Sequence, residues 1–197
     1  MSAPNELSLL LRPHPTTAAP LVQSLTGEAF FAADGNLVVV YRLRGDMVRL
    51  RIPGRQMPGP ADGLWEHTCC ELFAAVAGET AYREFNFSPS GQWAAYAFSD
   101  YRQRDPAVEA IFAQSLPPLL DVERTAGRLE LTVRLASDAL PPLPEGRSWQ
   151  IALTAVVEAA DLVDGRHSYW SLHHPAAHPD FHHRDGFVLQ LSPSVAN

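Results

Sequence analysis

Apolar residues recur along the chain in short bursts separated by Pro, Gly and Asp clusters. That spacing suits pleated strands, with their alternating faces, better than helices. It predicts strands over Leu7–Arg12, Leu37–Arg44, Met47–Ile52, His67–Val76, Ala81–Ser88, Gln92–Ser99, Arg128–Leu135, Trp149–Glu158, His167–Leu172 and Gly186–Leu191. Gly45–Asp46 reads as a tight hairpin turn, and Ser88-Pro89-Ser90-Gly91 as a second. One helix signal stands out. Asp105 before Pro106 is an N-cap followed by proline at the first helical position, opening Ala107–Gln114, and Pro117-Pro118 stops it. Leu140–Gly146, rich in proline, is a loop between strands and not a domain linker. The expectation is an all-β chain with at most one or two short helices, a two-sheet antiparallel β-sandwich in one domain over residues 1–197.

Sorting the central strands by pleat gives each a core face and an outer face. Matching apolar to apolar sets Leu72, Phe85, Phe87, Tyr96 and Phe98 in the core. Glu71, Glu84, Asn86 and Trp93 then share the other face. Two carboxylates, an amide and an indole form a trough suited to a polar, ring-shaped molecule, whose C–H face stacks on Trp while its hydroxyls meet Glu and Asn. Arg102, just beyond, adds a further directional donor. A solvated outer face with cross-strand ion pairs is the plainer alternative.

Charge narrows the partners. The net charge is −7, with Lys+Arg 15 against Asp+Glu 22, and the arginines are scattered singly. Phosphate backbones and anionic bilayers need basic stripes, so nucleic acid and membrane are poor partners. Cys69 and Cys70 are adjacent, and neighbours on a strand point to opposite faces, so no disulfide framework is expected. The N-terminus, MSAPNELSLLLRPHP, lacks a basic n-region and a long apolar run, and cytoplasm is the default location.

Leu64–Phe73, LWEHTCCELF, with Tyr82–Arg102, YREFNFSPSGQWAAYAFSDYR, resembles the DOMON-like proteins related to family-nine carbohydrate-binding modules, in a bacterial stand-alone branch. The tail YWSLHHPAAHPDFH, from Tyr169 through Asp180 to His182, and Pro13-His14-Pro15 extend the likeness over nearly the whole chain. The resemblance implies a sandwich of jelly-roll or immunoglobulin-like kind. It also implies a sugar held between two tryptophans, with a glutamate shortly after the first. Trp65 with Glu71, and Trp170 near the C-terminus, match those positions. Haem-binding relatives use Met and His, and Met47 and Met57 sit in no matching motif.

Five of the eight histidines cluster near the C-terminus. Pro175 and Pro179 break the helix that would align His174, His178 and His182, but His173, Asp180 and His182 are a candidate set for a divalent metal from a folded loop. No other cofactor is expected. Glu71 and Glu84 invite an acid–base reading, yet no nucleophile elbow, phosphate-cradling loop or dinucleotide fingerprint is present. The sequence therefore favours a non-catalytic domain binding a carbohydrate or similar polar cyclic molecule. The alternative is a protein-interaction or assembly module using the same face, with homo-oligomerisation open. A metal-dependent enzyme built on the histidines ranks behind both.

Overall fold

The computed structural model describes residues 8–115, 117–160 and 167–192. Leu7, where the first expected strand begins, and the N-terminal segment before it lie outside the described residues. The strands in chain order are β1 (Leu9–Pro13), β2 (Val22–Phe31), β3 (Leu37–Gly45), β4 (Gly59–Pro60), β5 (Cys69–Val76), β6 (Tyr82–Phe87) and β7 (Gln92–Asp100). After them come β8 (Gln103–Arg104), β9 (Leu119–Arg124), β10 (Arg128–Leu135), β11 (Trp149–Glu158), β12 (His167–Ser171) and β13 (Leu189–Leu191). The helix α1 (Pro106–Phe112) starts at Asp105, whose carboxylate accepts from the Val108 N–H at 3.1 Å.

Not every pairing among these strands is antiparallel. They form one curled, mixed sheet in the order β4-β7-β6-β5-β11-β12-β1-β2-β3-β10-β9, with β8 and β13 added at β7 and β11. The short β1 makes it continuous: Leu9–Leu11 pair with β2, and Arg12 and Pro13 pair with Ser171 and Trp170 of β12. The β4–β7 pairing is parallel, and β5 and β6 lie between these two strands in the chain.

Curling brings the inner faces of the two halves together. Val39, Tyr41 and Leu43 of β3 and Leu131 of β10 meet Leu72 of β5, Phe85 and Phe87 of β6 and Leu153 of β11 in one core. The Tyr41 hydroxyl donates across this core to the Glu71 carbonyl at 2.6 Å. Approach is so close at β2 that a Cβ on Gly27 would lie 2.9 Å from Leu153 Cδ1. This explains why β2 was not legible: its core face reads Leu25, Gly27, Ala29, Phe31, and its other face carries Glu28, paired to Arg42. A strand with glycine at its tightest contact shows little hydrophobic alternation.

Met47–Ile52 is not a strand, and Gly45–Asp46 is not a hairpin turn. Asp46 instead caps a turn, accepting at its side chain from Val48 N at 3.2 Å and at its carbonyl from Leu50 N at 3.2 Å. Met47 and Leu50, three apart, reach the core from that turn. Gly45 closes against β2 where the register slips between Val22 and Ser24. A Cβ there would press on the Leu21 carbonyl oxygen and Val22 Cα, which are backbone atoms with little freedom to move. Gly45→Ala is therefore expected to cost about 1–3 kcal/mol in urea denaturation. A wild-type midpoint for this variant would contradict that packing.

Candidate functional site

The outward face of the β5–β6–β7 region is not solvated. Phe73, Ala75, Tyr82, Phe98, Ala152 and Phe187 make a second apolar cluster, with Tyr96 and Phe181 packed against it. Covered on both faces, β5 and β6 are buried throughout. Beside this cluster opens a cavity of about 1130 Å³. Its floor is strand residues: Glu71 and Phe73 of β5, Glu84 of β6, and Tyr96 and Phe98 of β7. Its walls are residues 53–67, Arg102 and Arg104, Tyr169, and Pro179–His182.

The wall over residues 53–67 is Pro- and Gly-rich and is pinned along β7. Gln56 N donates to Ser90 O at 2.8 Å, Ala61 N to Trp93 O at 2.9 Å, and the Tyr96 hydroxyl to Asp62 at 2.8 Å. Gly63 adopts φ 70, a left-handed turn natural to glycine, and leads into the 3₁₀ turn Leu64–Glu66. That turn carries Trp65 beside the cavity with its side chain 51% exposed.

The floor holds two carboxyl groups with little water around them. Glu71 is 3% exposed and Glu84 is 6% exposed. Burial, and then the proximity of Glu84, push the Glu71 carboxyl well above the usual range. Burial raises Glu84 to about 7, against the pull of the Asn86 amide and of Arg102 and Arg104. Asn86 Nδ2 donates to Glu84 Oε1 at 2.7 Å, while Thr154 reaches Glu71 at 3.5 Å. Asn86 itself is fully buried and does not line the cavity; it orients Glu84 from behind.

His182 completes the floor. Burial and Arg102 lower its pKa to about 4, so it is neutral near pH 7. The Tyr82 hydroxyl accepts from the Arg102 N–H at 3.0 Å and lies 2.8 Å from His182 Nδ1. The other ring nitrogen, Nε2, lies 3.6 Å from Glu84 Oε2, so the imidazole bridges Tyr82 and Glu84. Arg102 holds a left-handed φ of 55, a strained conformation for arginine, at the turn between β7 and β8. Its Nη2 donates to Asp180 at 3.0 Å, and the Tyr101 hydroxyl donates to the same carboxylate at 2.9 Å. This clamp ties the turn to the C-terminal segment.

Of the expected site residues, Trp65, Glu71, Glu84 and Arg102 meet around this cavity. Trp93 and Trp170 do not. The last β6–β7 pair is Phe87 with Trp93, so an odd number of residues, 88–92, separates the two partners. An even loop would match the apolar-to-apolar sorting, and one residue more or less flips every side chain of a strand. Trp93 therefore lies on the core side with Phe87, while Tyr96 and Phe98 move to the cavity side. Trp170 is 5% exposed in the main core, where its Nε1 donates to Ser168 at 2.9 Å, so it forms no clamp with Trp65.

The expected metal set is not assembled either. Among the described residues no group of three or more His, Cys, Asp or Glu is placed to hold a metal ion. Asp180 is engaged by Arg102 and Tyr101, His182 by Tyr82, and His173 lines a separate depression with His14 and His174. Cys69 and Cys70 are free and buried, as their opposite faces require. No described helix is long and apolar enough to cross a membrane.

No family model matches this chain, and no curated protein matches it. Among solved structures, it is similar to a protein of Bacteroides uniformis described as a candidate carbohydrate-binding protein. The two share 14% identity and a TM-score of 0.55, over 91% of this chain and 84% of that one. At that identity the likeness is one of fold.

Proposed function

We propose that this chain is a ligand-binding protein that takes a carbohydrate or similar polar cyclic molecule into the cavity between the β5–β7 floor and Trp65. The observation that carries this reading is the half-exposed indole beside a cavity whose floor sets two buried carboxyl groups among aromatic rings. Rings offer stacking area for C–H faces, and carboxyls give directional partners for hydroxyls. The fold shared with the Bacteroides uniformis protein supports the reading, as does the resemblance to DOMON-like and family-nine modules. The sandwich which that resemblance implies belongs to the same proposal, since the two halves of the curled sheet face each other across one core.

Titrating intrinsic tryptophan fluorescence with mono- and disaccharides tests it. Trp149 and Trp170 are buried in the core and Trp93 faces away from the cavity, so Trp65 is the reporter. A saturable change with at least one sugar is the expected result, and flat traces across the panel overturn the proposal. Trp65→Ala is expected to weaken the binding of that sugar roughly tenfold, the loss of about 1–1.5 kcal/mol of stacking. Thermal stability should stay nearly unchanged, because exposed side chains contribute little to the fold.

A further inference from the structure

Glu71 and Glu84 are buried with no arginine paired to either one, and Arg102 and Arg104 act on Glu84 only from a distance. Each cation nearby is committed elsewhere. Arg102 is bound to Asp180 at 3.0 Å and Arg104 to Glu109 at 2.8 Å. Arg51 and His67 both engage Glu158, at 3.1 Å and 2.9 Å. His182, the group facing Glu84 at 3.6 Å, is neutral at physiological pH. Glu71 has the Thr154 hydroxyl at 3.5 Å as its side-chain partner. Two more carboxylates, Asp62 and Glu66, stand at the cavity wall, and Asp62 already takes the Tyr96 hydroxyl. Tyr82 and Tyr96, also near the floor, are phenols whose burial holds them neutral.

A buried carboxyl group with no protein cation bonded to it keeps its proton, as the raised Glu71 and Glu84 do, and a ligand that brings a cation takes the place of that proton. The ring lining strengthens this. Trp65, Phe73, Tyr96, Phe98, Tyr169 and Phe181 surround the same space, and aromatic faces attract ammonium groups but not anions. We infer that the ligand of this cavity carries a cationic amine, which among sugars means an amino sugar with a free ammonium group. The inference rests on the carbohydrate reading for its ring but not for its charge. Uronic acids and sugar phosphates are disfavoured, because Arg102 and Arg104 at the cavity already face Asp180 and Glu109.

Calorimetry at pH 7 with glucosamine, N-acetylglucosamine, glucose and choline separates the two claims. An amine of ordinary pKa near 8 is mostly charged at that pH. Glucosamine is expected to bind at least tenfold tighter than N-acetylglucosamine or glucose. That advantage should fall below about threefold in the Glu71→Gln/Glu84→Gln double variant, where both amides keep the shape and can no longer ionise to meet a cation. Equal or tighter binding of glucose or N-acetylglucosamine overturns the cationic ligand and leaves the carbohydrate reading standing. Binding of choline with no heat from any sugar overturns the carbohydrate reading and retains the cation. Silence from all four compounds overturns both.

Discussion

Glu84→Gln is expected to make the protein more stable at pH 8, by about 2–3 kcal/mol, and to leave it nearly unchanged at pH 4.5. Burial raises the folded pKa of Glu84 to about 7, above the ordinary carboxyl value of 4.5. The folded state then holds a proton that the unfolded chain releases. The resulting stabilisation is fully present below pH 4.5 and is lost as the pH rises through about 7. Above that, the folded protein must carry a buried carboxylate, at a cost of about 1.4 kcal/mol per unit of displacement, part of which cavity water relieves. Glutamine keeps the Asn86 side of the hydrogen-bond geometry and never ionises. It also removes the neighbouring charge that adds to the elevation of Glu71. Urea denaturation from pH 4.5 to 8 is the measurement. Wild type should lose stability across that window relative to the variant, and parallel curves would mean that Glu84 is not desolvated.

The second large effect lies at Arg83, on the core side of β6. Its guanidinium donates to the carbonyls of Ala139 at 2.6 Å and Leu140 at 2.7 Å, and covers the Phe112 ring at 4.2 Å from its centroid. One side chain thus pins the 137–140 turn and the end of α1 to the sheet. Burial lowers its pKa to about 10, so it stays charged in neutral solution. Arg83→Met retains much of the apolar stem and contact with Phe112, but leaves two buried carbonyls unpaired. At about 1–2 kcal/mol for each, the loss is about 2–4 kcal/mol. For a chain of this size the melting temperature should fall by roughly 5–12 °C. A drop of less than one degree would show that the carbonyls find other partners.

These effects hang on features of unequal legibility. The faces of β5 and β6 follow from sequence, because Leu72, Phe85 and Phe87 alternate with Glu71, Glu84 and Asn86 on strands whose pleat is fixed. The start of α1 follows from Asp105-Pro106, a local signal that needs no tertiary partner. What sequence patterning misses depends on long-range contact. The face of β7 turns on loop parity at residues 88–92, and both faces of that strand carry aromatic residues, so hydrophobicity does not decide between them. The loop count was the available signal. Strand β9 was missed as well. Leu119–Arg124 sits at the sheet edge, where four of its six residues are exposed and soften the pattern. Trp170 and the C-terminal histidines look functional as an isolated list. Their chemistry is spent internally, on Ser168 for the indole and on Tyr82 for His182, and only the folded chain brings those partners near.

The cavity reading that began from Trp65 and the two glutamates comes down to where a ligand sits. The four tryptophan indole N–H signals in a proton–nitrogen correlation spectrum, recorded as glucosamine or another binding sugar is added, locate it directly. Trp65 lines the proposed cavity, Trp93 a different groove on the core side of β7, and Trp149 and Trp170 are packed in the core. The Trp65 indole signal, assigned by its loss in Trp65→Ala, is expected to move saturably while the other three stay in place. Movement of Trp93 with Trp65 unmoved would contradict it.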